Sequence, residues 1–169
     1  MKPWLQLTLI VMTVGGGFAG FAATLESLFN SSDASKLSLL LRVMVLGLYA
    51  FVIASGLSLV RDPTRTGPLI AALALQIPSL SSPVIVYEFA TGLGAFIDVG
   101  SLGKGNTVGF HFSWLLGADL SFAVLQDHPL RVGVNVVALT IFLLVWWTVH
   151  PTSRLEQPNR PTDPMYRGQ

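Results

Sequence analysis

Four apolar stretches leave this chain few ways to fold: residues 5–24, 39–60, 68–90 and 131–149. About 20 residues at 1.5 Å per helical residue give about 30 Å, the hydrocarbon thickness of a bilayer. Hydrophobic residues make up 51% of the chain and charged residues 11%. An ordinary soluble domain is roughly 25% charged. Polar groups are therefore too few to cover a water-soluble fold of this size, and a bilayer is the expected solvent.

The boundaries of these stretches agree with that reading. Lys2 and Trp4 precede the first, as a cytoplasmic charge and an interfacial aromatic would. The rival reading makes residues 1–23 a cleaved signal peptide, since small residues cluster at 19–23. Arg61, Pro63, Arg65 and Gly67 form a short basic turn after the second stretch. The third opens at Pro68 and holds Pro78 and Pro83, with serines between them. A kinked or broken helix is expected there. The fourth ends in the aromatic pair Trp146 and Trp147. The Pro- and Arg-containing segment 151–169 is expected to be a disordered cytoplasmic tail.

Between the third and fourth stretches, over about 91–126, the apolar period changes from helical to two. Leu93, Ala95, Ile97 and Val99 alternate with smaller or polar residues, as do Val108, Phe110, Phe112 and Trp114, then Leu120, Phe122 and Val124. Three such runs predict a three-stranded antiparallel β-meander. Pairing Val99 with Val108 and Trp114 with Leu120 keeps the apolar side chains on one face, with Leu116, Gly117 and Ala118 as the second hairpin loop. The expected fold is a membrane α-helical, four-span helix bundle carrying a small extracytoplasmic three-stranded antiparallel β-meander between spans 3 and 4. Residues 1–150 would form one integral membrane domain.

Orientation follows from the cations. With both termini inside, the inner side carries Lys2, Arg61, Arg65, Arg154, Arg160 and Arg167, against Lys36, Arg42, Lys104 and Arg131 outside. This bias predicts cytoplasmic termini in a bacterial inner membrane. The net charge of +1 carries no footprint for nucleic acid. Cysteine is absent, which excludes disulfides, thiol catalysis and cysteine-ligated metals. Hydrolase, zinc-protease and nucleotide-binding loop patterns are also missing, so neither a cofactor nor a catalytic residue is expected. The glycine-rich 100–107 segment joins two strands and opens no helix, so it reads as a hairpin loop.

Three sets of residues could carry function. Arg42, Glu88, Asn135 and Gln76 are polar groups inside or near spans, where ionisable side chains are costly. They could form a polar layer, with the kinked third span completing a pocket. The plainer reading has Arg42 snorkelling, Glu88 facing water and Gln76 bonding a neighbouring helix. Gly16 and Gly20 form a small-residue face for close helix packing, within the bundle or between copies. Phe110, Phe112, Trp114 and Phe122 give the meander an apolar face that needs cover. His111 lies on the opposite face, with Asp98 and Asp119 near but not directly across from it. The expected function is a non-enzymatic interaction or assembly component of the lipid bilayer, with a protein partner or a second copy. The alternative is small-molecule or lipid binding in the polar layer.

Overall fold

The structure is a computed structural model that describes residues 2–30, 35–101, 108–124 and 128–149. The expected tail at 151–169 lies outside the described residues. Helix α1 (Pro3–Asn30) starts with Pro at its first turn, where a missing N–H costs nothing. It contains one widened π-helical turn at Val11–Gly15. Helix α2 (Lys36–Arg61) is capped by Ser35, whose hydroxyl accepts the Ser38 N–H at 3.2 Å. Arg61 lies in its last turn, where a cation complements the helix dipole. At 28 and 26 residues these helices extend about 42 and 39 Å. Among the described residues they alone are long and apolar enough to cross a membrane.

The four-span bundle does not form. Helix α3 (Gly67–Leu75) has only nine residues, about 14 Å. It stops because Pro78 pushes the residue before it toward extended backbone. Strand β1 (Pro78–Ser81) then begins on that proline, a position where a strand tolerates its missing donor. The tail of the expected third span, with Glu88, belongs to strand β2 (Ile85–Ser101). The expected fourth span divides likewise, into strand β4 (Arg131–Asn135) and helix α4 (Val136–Val149), about 21 Å long. Asn135 makes the change of structure: its Oδ1 accepts the Ala138 N–H at 3.3 Å as a helix cap.

The three-stranded meander is corrected as well. Leu116, Gly117 and Ala118 are not a turn; strand β3 (Val108–Val124) runs through them and pairs with β2 along its whole length. The first hairpin is shifted by two residues from the expected register, with Val99 opposite Phe110 and Ile97 opposite Phe112. A two-residue shift preserves which face each side chain takes, so the apolar row survives the error.

Four strands form one antiparallel sheet in the order β1-β4-β2-β3, with β1 also pairing with β2. Three straight strands cannot all be antiparallel to one another. The pairings among β1, β2 and β4 therefore require β2 to reverse direction partway. Its first part pairs with β1 (Ser79 with Glu88) and its last part with β4 (Asp98 with Gly133). The bend lies at Gly92, with φ +85°, opposite Gly117 of β3, with φ +120°. Both values suit glycine, which lacks the Cβ that would clash there.

The bend rests on α1. A Cβ on Gly16 would overlap the Thr91–Gly92 backbone, and a Cβ on Gly92 would meet Met12. Further along, Gly20 makes room for the Tyr49 ring of α2, and Gly17 for Ile53. Two cores follow from this arrangement. At one end all four helices meet through Leu5, Leu9, Leu59, Leu69, Leu73 and Val145. At the other, Tyr49, Val52 and Ala72 pack on Phe89 of the sheet, Tyr49 meeting Phe89 edge-on at 5.4 Å. The sheet thus packs on Phe21 of α1, on Val45, Leu48, Tyr49 and Val52 of α2, and on Ala72 of α3.

Gly16→Ala is expected to destabilise the protein by about 1–3 kcal/mol, since backbone on both sides leaves nowhere to relax. Gly47→Ala, in α2 with open space at its Cβ, should be neutral or stabilising by up to about 1 kcal/mol. Thermal unfolding of the two variants in one detergent checks the contrast.

Candidate functional site: a polar chamber inside the sheet

Residues paired across an antiparallel sheet point to the same face. The register therefore defines rows across the concave side of the bent sheet. One row reads Ser121, Glu88, Ser79, Gly133, Asp98 and His111, passing through β3, β2, β1, β4, β2 and β3. The row beyond it holds Val86, Ser81, Arg131, Gly100 and Gly109. The row toward the bend holds Asp119, Ala90, Phe96, Asn135 and Ser113. Ala90, Phe96 and Asn135 are fully or almost fully buried and make a floor. Above it lies a chamber of about 440 Å³, lined by Glu88, Asp98, His111, Arg131, His128 and four serines.

Asp98 is the fixed point of the chamber. It is 6% exposed, accepts the Ser79 hydroxyl at 2.8 Å, and lies 3.7 Å from His111 Nδ1. Its carboxylate folds over Gly133, where any Cβ would overlap it. Glu88 faces the same space, half-buried, and makes no hydrogen bond to another described residue. The arrangement supplies acceptors at depth and a guanidinium in the outer row. Among the described residues no group of three or more His, Asp and Glu is placed to hold a metal ion.

The convex side is the reverse. Val108, Phe110, Phe112, Trp114 and Leu116 alternate along β3 and are 65–82% exposed. Ile97, Val99, Val132 and Val134 extend the same surface on neighbouring strands. Phe122 falls outside the residues whose side chains are described. Nearer the helices, Tyr87, Phe89, Ala118 and Leu120 of this face are covered by α1, α2 and α3.

The four residues of the expected polar layer do not converge. Arg42 borders a separate groove of about 600 Å³ between α1, α2 and β3, with Tyr49 and Asp119. It donates to the Ser27 carbonyl at 2.6 Å. Glu88 belongs to the chamber. Gln76 is buried at the end of α3, where its Oε1 accepts the N–H and hydroxyl of Thr91, both at 2.9 Å. Asn135 lies at the start of α4; its Oδ1 also accepts the Ala95 N–H at 3.2 Å, and its buried Nδ2 has no hydrogen-bond partner among the described residues. Gln76 and Asn135 thus tie half-length helices to the sheet. Gly16 and Gly20 mediate packing inside the chain.

Ser79, Asp98, His111 and Arg131 were not expected as one site. The signal is partly present: Ser79 and Ser81 of β1, Glu88 and Asp98 of β2, His111, Ser113, Asp119 and Ser121 of β3, and Arg131 and Asn135 of β4 each keep one parity within their strand. The expected register sets His111 opposite Phe96, where the structure pairs it with Asp98, and the apolar runs that hold β1 and β4 have the composition of helix.

No protein-family model matches this chain, and neither a curated protein nor a solved structure matches it.

Proposed function

We propose that this chain is a bilayer-seated, non-enzymatic interaction and assembly component whose working element is strand β3. The observation that carries this reading is the inverted sheet, apolar outside and polar inside. That is the pattern of a strand facing lipid on one side and a polar lumen on the other. The helices support the same seating: in each long apolar window only 22% of the residues are buried in the molecule. A soluble protein's core helix would hide most of that surface.

The assembly role rests on the edge of β3. Its one strand partner is β2, so its other edge has no strand against it among the described residues. Backbone donors and acceptors left without partners in lipid cost several kcal/mol each, and an added strand from another chain removes that cost. The bias of Lys and Arg supports both termini on the cytoplasmic side of a bacterial inner membrane. The α1 start, α2 end and α4 end then share that side, and the chamber opens toward the other.

The chain's lack of cysteine allows single reporters. Spin labels at Phe112→Cys and Leu116→Cys, in vesicles, should meet dissolved oxygen and be shielded from a water-soluble nickel chelate. A label at Ser113→Cys, on the chamber side, should behave oppositely. Equal chelate access at all three positions would rule out a lipid-facing row. So would exclusion of both reagents with efficient disulfide dimers at 112, which would make this face a contact between copies.

A further inference from the structure

We infer that the chamber is a binding site for a small zwitterion carrying a primary ammonium group and an adjacent anionic group. The ammonium seat is the inner row. Glu88 brings a carboxylate with no hydrogen bond to another described residue, and Asp98 brings a second from the facing part of β2. Asp98 is already held by Ser79 and flanked by His111, so its position is set before any ligand arrives. Ser79 and Ser121 flank Glu88 in the register and supply hydroxyls that accept as well as donate. An ammonium with three donors satisfies such a set, and it relieves the repulsion between the two acids.

The anion seat is Arg131, one row further out on the same face. Same-face rows are two residues apart, or about 7 Å. That spacing suits a molecule whose charges are separated by a few bonds. A guanidinium takes phosphate or carboxylate oxygens through paired N–H donors. A quaternary ammonium fits poorly. It has no N–H to give the carboxylates, and among the described residues no Phe, Tyr or Trp lines the chamber to form a cage, Phe96 being buried in the floor. The chamber's volume of about 440 Å³ accommodates a headgroup-sized molecule with water. Two sources share this chemistry: a free amino-phosphate or amino acid, and the headgroup of an aminophospholipid.

The test uses the full chain in nanodiscs of phosphatidylcholine and phosphatidylglycerol, with thermal unfolding as the readout. O-phosphoethanolamine at a hundredfold excess over its Kd should raise Tm by about 5–10 °C. Ethanolamine should act more weakly, and phosphocholine should have little effect. Glu88→Gln should weaken phosphoethanolamine binding by about ten- to a hundredfold. Arg131→Gln should remove the advantage of phosphoethanolamine over ethanolamine while leaving the ethanolamine response. Nanodiscs containing phosphatidylethanolamine separate the sources. A raised starting Tm that abolishes the soluble response identifies the headgroup, and an unchanged response identifies the free amine. No response to any amine in the parent chain would overturn the inference. So would an equal response in Glu88→Gln, or a Tm shift with calcium ions alone. None of these readouts depends on the β3 face meeting lipid, so this inference and the spin-label reading fail separately.

Discussion

The contact between Gly16 and the Thr91–Gly92 peptide is the constraint on which the rest of this molecule depends. Backbone meets backbone there, with no side chain between. The close approach lets the sheet turn back on itself against the middle of a long helix. Without the reversal β2 could not pair with both β1 and β4, and the concave face would open into a flat, edge-rich ribbon. The π-helical turn of α1 falls immediately before Gly16, in the turn that brings Met12 against Gly92. A local irregularity in the helix thus coincides with the tightest packing in the fold.

That seating also explains the division of labour between helices and sheet. α3 and α4 complete a four-helix cluster with α1 and α2 at one end only. At the other end the sheet takes their place, presenting Phe89 to Tyr49 where a helix would have presented a leucine. Gln76 and Asn135 fasten the joints. Each ends or begins a half-length helix and accepts a backbone N–H of β2 on its side-chain oxygen. Polar residues that a membrane reading marks as possible ligand groups therefore do structural work, meeting donors freed where helix gives way to strand.

The inverted sheet resolves a conflict between composition and geometry. A chain with this much apolar surface cannot bury all of it internally, so β3 turns its aromatic row outward and keeps its charges inside. Glu88 faces that interior and makes no hydrogen bond to another described residue, with the Asp98 carboxylate in the same row. Two carboxylates in one chamber repel each other, and the proposed ammonium ligand would offset that repulsion.

Sequence by itself determined the local preferences. Apolar runs fixed α1 and α2, the two helices whose period and length no tertiary contact needed to supply. Period-two alternation fixed which side chains of β2 and β3 share a face, because even a register error of two residues leaves parity intact. Small residues at 16 and 20 marked a close packing surface without saying against what. Tertiary structure decided the rest. Pro78 and Pro83 are compatible with a kinked helix or with short strands, and the choice fell to strand because β2 and β4 were there to pair with β1. Arg131–Asn135 became strand for the same reason. The chamber exists only once those pairings close, since Ser79, Asp98, His111 and Arg131 come from four different strands. No spacing along the chain encodes a row of partners that a bent sheet assembles.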